Sequence, residues 1–138
     1  MKGLITVLVV VAAVFLFFVV GAVDMSERFE NYIAEKVEDE DEKQHLKIQN
    51  IRYVYTVGKY DRAEELINSF IEEYDRYDEY RADDPLGNRV ALAHFMLAQV
   101  YDRKIQSISA KKLYKSYIAR FPEDENAEKA RKRLKEIF

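Results

Sequence analysis

Few residues in this 138-residue chain are of types that could carry out chemistry. Two histidines, His45 and His94, are the obvious candidates for metal ligation or proton transfer. Neither is followed, three or four residues on, by a metal ligand that would share its helix face, so a zinc site is not expected. The run Glu38 to Glu42, "EDEDE", has carboxylates in plenty. A calcium loop also needs a glycine bend and spaced oxygen ligands, and this run has neither; it reads as a solvated turn of mutually repelling charges. The remaining carboxylates fall on what read as exposed helix faces, where ionised side chains belong. Ten tyrosines could stack on an aromatic ligand or a sugar, but at helical spacing they read as core and interface residues. No cysteine is present, which excludes disulfides, thiolate metal sites and cysteine nucleophiles. No glycine-rich phosphate loop and no G-x-S-x-G elbow occurs. The chemistry-bearing residues therefore lead to no enzyme, no metal, no cofactor and no small-molecule substrate, and the question becomes what the surrounding elements hold in place.

From Gly3 to Val23 the chain has 21 uncharged residues, "GLITVLVVVAAVFLFFVVGAV". A helix of about 20 apolar residues crosses the hydrocarbon core of a bilayer. The run reads as a retained membrane anchor, because a secretory apolar core is shorter, roughly 7–15 residues. The alternative is a cleaved signal peptide with Val20-Gly21-Ala22 as its small-x-small site. Lipidation is excluded by the missing cysteine. The short head carrying Lys2 favours an N-terminus inside and a soluble domain outside the cytoplasm, in the periplasm. Beyond the run, Asp24 to Asn88 carries 19 acidic against 9 basic residues, whereas Lys111 to Phe138 carries 9 basic against 5 acidic. The acidic half should stand off an anionic bilayer rather than lie on it. In the tail, acids alternate with bases ("EKARKRLKEIF"), which reads as a solvated helix face and not as a nucleic-acid site.

Every segment after the run has helical periodicity, and glycine and proline are scarce. Met25, Phe29, Tyr32, Ile33 and Val37 form one stripe. A second helix is predicted from about Glu42 to Val57 and ends at Gly58, which tolerates the left-handed conformation past a helix end. Asp61 is placed to cap the next helix, predicted to reach about Arg81. "DDPLGN", Asp83 to Asn88, reads as a turn. Further helices are predicted over about Arg89 to Lys104, from a cap at Ser107 or Ser109 to Arg120, and over about Asn126 to Phe138. The expected fold class is all-α: residues 1–23 an anchor, 24–43 an amphipathic helix and acidic turn, and 44–138 antiparallel helix hairpins.

Within these hairpins Leu97-Ala98, Tyr101, Ala110, Tyr114 and Pro122 fall in one register. This resembles the tetratricopeptide repeat, a helix hairpin of about 34 residues with the pattern L-G-x2-Y, then A-x3-F, then P. The chain departs from the pattern at the tryptophan, where it has His94, and at the glycine, where it has Ala98. Gln44 to about Tyr77 is similar to a weaker copy: Gly58, Tyr60 and Ala63 match the turn between the paired helices, Ile67 takes the large apolar position, and Asp75 stands where the proline would be. The last helix looks like a capping helix. The resemblance extends to cell-envelope repeat proteins of bacteria.

The resemblance implies a concave face lined by the first helix of each hairpin. That face would carry His45, Ile48, Arg52 and Tyr55 from one repeat, and Leu92, Phe95, Gln99, Asp102 and Arg103 from the next. The competing reading is that Ile48, Leu92 and Phe95 pack on the preceding helix. The function implied is a membrane-anchored adaptor that binds a protein partner of a membrane or envelope complex, attached to the bilayer through residues 3–23. The alternative is a structural subunit packed through that apolar helix into a larger membrane assembly.

Overall fold

Asp39, inside the acidic run, caps a long helix that starts at Glu40. Its side chain accepts a hydrogen bond from the Glu42 backbone N–H at 2.8 Å, and Glu40, Asp41 and Glu42 form the first helical turn. Carboxylates are favourable there because the helix N-terminus is the positive end of the dipole. The acidic run is therefore a helix start and not the predicted turn. The same correction applies to "DDPLGN": Asp84 caps a helix through Leu86 N–H at 3.1 Å, and Pro85 is its first residue, a position where the missing N–H costs nothing. The capping expected of Asp61 and of Ser107 or Ser109 is not seen. Lys59 and Gln106 flank those helices without side-chain caps, and Ser107 is already helical.

A computed structural model of the chain describes residues 7–15, 21–75 and 84–137. These form α1 (residues 7–15), α2 (Ala22–Lys36), α3 (Glu40–Thr56), α4 (Tyr60–Tyr74), α5 (Pro85–Arg103), α6 (Ser107–Arg120) and α7 (Ala127–Glu136). There is no strand among the described residues, and the fold is all-α. The predicted continuation of α4 to Arg81 lies outside them. The apolar run is described only in part: residues 1–6 and 16–20 lie outside. In α1 the side chains of Val7, Leu8, Val9, Val10, Val11, Val14 and Phe15 are each more than half exposed. No helix among the described residues is long and apolar enough to cross a membrane.

Each helix from α2 to α7 packs on its sequence neighbour, and α3 also touches α5. That extra contact brings the first helices of the two hairpins, α3–α4 and α5–α6, side by side. The hairpins repeat one another at a separation of 47 residues. Ile48 and Phe95, Ile51 and Ala98, Ala63 and Ala110, Ile67 and Tyr114, Phe70 and Tyr117, Tyr74 and Phe121 are six such pairs, and every member is buried. Ala63 and Ala110 are wholly inaccessible; a larger side chain there would force the paired axes apart.

The turns repeat as well. In the first, Gly58 N–H bonds to Tyr55 O and Lys59 N–H to Val54 O; in the second, Ile105 N–H bonds to Asp102 O and Gln106 N–H to Tyr101 O. Both turns need a left-handed residue, Gly58 at φ 80° and Ile105 at φ 59°. Cross-links between helices show that the two turns share one end of the layer with the start of α2. Arg62 Nε donates to Ser26 Oγ at 3.2 Å, and Lys104 bridges Asp61 and Glu64 at 2.7 Å each. At the other end Tyr74 donates to Glu40 at 2.8 Å, Arg89 pairs with Asp41 at 2.6 Å, and Arg120 pairs with Asp75.

Candidate functional site

Between α3, α5, α6 and α7 lies a groove of about 550 Å³ lined by Tyr55, Phe95, Gln99, Asp102, Arg103, Tyr114, Lys129 and Arg133. α5 supplies four of these at intervals of three and four, so they share one face of its helix. α3 delivers Tyr55 because its contact with α5 sets the two first helices abreast. Ala98 and Ala110, both wholly buried, let α5 and α6 approach closely and bring Tyr114 behind Phe95, with ring centroids 6.1 Å apart.

The polar floor is organised around Asp102. Arg133 reaches across from α7 and donates through Nε to Oδ2 at 2.6 Å and through Nη2 to Oδ1 at 2.9 Å. This paired geometry is the strong form of a charge-assisted bond. The Tyr114 hydroxyl donates to Asp102 Oδ2 at 3.4 Å. The Arg133 guanidinium holds the Asp102 carboxyl below its ordinary range, with a smaller contribution from Tyr114. Burial, and then the Asp102 charge, push the Tyr114 hydroxyl up. Asp102 is thus ionised and Tyr114 neutral at neutral pH. Arg103 Nε donates to the Tyr55 hydroxyl at 3.4 Å, and Lys129 Nζ to Asn126 Oδ1 at 3.1 Å. With Arg103, Lys129 and Arg133 against Asp102, the groove carries net positive charge. Tyr55, Phe95 and Tyr114 give it aromatic surface and Gln99 an amide, and its one carboxylate is held ionised by an arginine.

Of the nine residues expected on the concave face, Tyr55, Phe95, Gln99, Asp102 and Arg103 meet in this groove. Ile48 belongs to the core, and Phe95, at 6 % exposure, is core as much as lining. His45 and Arg52 are exposed on α3 but do not line the groove. Leu92 lines a separate hollow of about 420 Å³ with Asn88, Arg89 and the acidic turn Glu123 to Asn126. Of the residues assigned to repeat packing, Ala63, Ile67, Leu97, Ala98, Ala110 and Tyr114 are buried, Tyr60 and Tyr101 are half-buried, and Gly58 and Pro122 sit in turns. Lys129 and Arg133 are not among the residues expected on that face, because a capping helix contributes none; the signal for them is their four-residue spacing on the basic face of α7.

A second surface also went unread. The stripe assigned to α2 is divided: Ile33 and Val37 are buried with Ala22 and Ser26, whereas Met25 and Tyr32 are exposed. The outer residues line an apolar groove of about 580 Å³ against α3, with Phe29, Gln49, Asn50 and Tyr53. Asn50 secures the joint beneath it by donating to Ser26 O at 3.2 Å and Glu30 Oε1 at 3.0 Å.

His94 sits at the far end from the α5–α6 turn. Its Nε2 lies 2.7 Å from Asp75 Oδ2, and Arg120 holds the same carboxylate through both oxygens at 2.5 and 2.6 Å. The His94 ring packs on Phe121 with centroids 5.6 Å apart. Arg120, then His94, lower the Asp75 carboxyl. The triad of Asp75, His94 and Arg120 ties α4, α5 and α6 together as a clamp made of side chains.

Comparison with known proteins finds no family model, no curated protein and no solved structure that matches this chain.

Proposed function

We propose that the protein is a membrane-anchored adaptor of tetratricopeptide type, whose positive groove between α3, α5 and α7 docks a segment of another protein in a membrane or envelope complex. In this reading residues 3–23 are the anchor, the N-terminus is inside, and the helical domain stands outside the cytoplasm. The observation that carries it is the convergence of Tyr55 with Gln99, Asp102 and Arg103 from the equivalent helices of two hairpins that repeat at 47 residues. Aromatic and arginine side chains are the types enriched where proteins meet. The test is capture of partners by the full chain, solubilised from its membrane, and by the double variant Tyr55→Ala, Arg103→Glu. The expected result is loss of the captured partner with the circular dichroism unchanged; an unaltered partner set defeats the groove assignment.

The exposed groove of Met25, Phe29, Tyr32 and Tyr53 supports the second reading, a structural subunit. It adjoins the apolar run, where a neighbouring membrane helix would emerge. Replacing residues 3–23 by an unrelated apolar helix separates the two. An adaptor keeps its partner, and a laterally packed subunit leaves its complex.

A further inference from the structure

Gly58 and Ile105 occupy the same place in the two repeated turns, with the same pair of backbone hydrogen bonds and the same left-handed backbone. Glycine adopts that conformation freely. For a β-branched residue it is an outlier, because Cβ crowds the backbone. Such strain persists where the side chain serves a purpose. Ile105 is 86 % exposed and Ile108, three residues on at the start of α6, is 87 % exposed. At the tip of the second hairpin, then, the chain accepts both a strained backbone and two aliphatic side chains in water.

The topology says what lies opposite that tip. α2 begins at Ala22, inside the apolar run, and its first turns are joined to the α3–α4 turn region by Arg62 to Ser26 and by Tyr53 to Met25 at 3.8 Å. Lys104, beside Ile105, reaches back to Asp61 and Glu64 at the start of α4. The start of α2, the Gly58 turn and the Ile105 turn therefore lie at one end of the layer, the end from which the apolar run leaves. Most acids at this end are in ion pairs, Asp24 with Arg28, Glu65 with Arg62, Asp61 and Glu64 with Lys104, while Glu27, in the second turn of α2, is exposed. One turn along the same outer face from Ile108 stands Lys112, exposed, placed for a lipid headgroup.

We infer that Ile105 and Ile108 form an aliphatic foot that rests in the interface of the bilayer holding residues 3–23, so that the repeat layer stands on two points, the anchor and the α5–α6 turn. The inference rests on the anchoring proposed above. Two contacts set the tilt of the layer, where a single helix leaves it free to swing. Aliphatic side chains at this depth replace water contact by acyl-chain contact, and a lysine just above them meets anionic headgroups.

The absence of cysteine makes single-site labelling clean. The full chain is reconstituted in phosphatidylcholine–phosphatidylglycerol vesicles with one environment-sensitive fluorophore at Val11, Gln106 or Glu123. Gln106 lies between the two isoleucines and leaves both intact; Glu123 is exposed in the turn at the opposite end. Nitroxide lipids labelled near the headgroup or deep in the acyl chain then report depth. The foot predicts strong quenching at Gln106 by the shallow nitroxide, several-fold weaker quenching by the deep one, none at Glu123, and loss of the Gln106 signal in Ile105→Ser, Ile108→Ser. Quenching at Val11 without quenching at Gln106 overturns the foot and leaves the anchor standing. A blue-shifted but unquenched label at Gln106 overturns it too, in favour of a protein cover. No quenching at Val11 overturns foot and anchor together.

Discussion

Exchanging the residues of the two equivalent turns should move stability in opposite directions. Ile105→Gly removes a left-handed L-residue, a strain of about 1–2 kcal/mol. Against this stands the extra freedom of glycine in the unfolded chain, roughly 0.5–1 kcal/mol relative to alanine. Little burial is lost, because Ile105 is 86 % exposed. The net expectation is a gain of about 0.5–1 kcal/mol. Gly58→Ala runs the other way. A methyl group on Gly58 meets no atom within 4 Å, so no steric clash enters and the cost is conformational, about 0.5–1 kcal/mol. The assay is denaturant unfolding of the full chain in mild detergent, followed by far-ultraviolet circular dichroism, with an unchanged slope required for the comparison. A destabilised Ile105→Gly, or a Gly58→Ala as stable as the parent, refutes the claim that the two turns are the same structure with the strain in one of them.

Other consequences follow from the packing and the charges. Ala110→Leu inserts a large side chain where exposure is zero; it should destabilise by about 1–3 kcal/mol and lower the melting temperature, while Lys112→Leu, exposed on the same helix, should not. Phe95→Ala should cost about 3–5 kcal/mol, because Phe95 is buried, so loss of partner by that variant says little, whereas Tyr55→Ala tests the groove without removing the core. Asp75, Asp102 and Glu64 are held below the ordinary carboxylate range by Arg120, Arg133 and Lys104 respectively. A lowered folded value means that the unfolded chain binds protons first. The stabilisation is complete above about pH 5 and is lost as pH falls through the folded values; Asp102→Asn should flatten that acid limb in a melting-temperature profile from neutral pH down to 3.

Helical class and, among the described residues, the succession of six helices after the run were legible because apolar periodicity acts locally. Helix starts were misread where charge or proline masked a cap. "EDEDE" looks like repulsion until Asp39 is seen to accept from Glu42 and the rest to face the positive helix end. Pro85 looks like a break until it is found in the first turn. The groove was half legible. α5 announced its face by spacing, but Lys129 and Arg133 enter through the angle of α7, and the ion pair of Asp102 with Arg133 spans 31 residues, beyond any local pattern. The split stripe of α2 has the same origin: which of two adjoining apolar faces is covered depends on where α3 comes to lie.

The most direct test of the docking account is site-specific photo-crosslinking in native membranes, with benzoyl-phenylalanine at Gln99, half-buried in the groove, or at Ser116, exposed on the outer side of α6. A discrete adduct from Gln99, absent from Ser116 and abolished by Arg103→Glu, is the predicted result. Equal labelling from both positions, or a Gln99 adduct indifferent to Arg103→Glu, contradicts the claim that this groove is where the protein does its work.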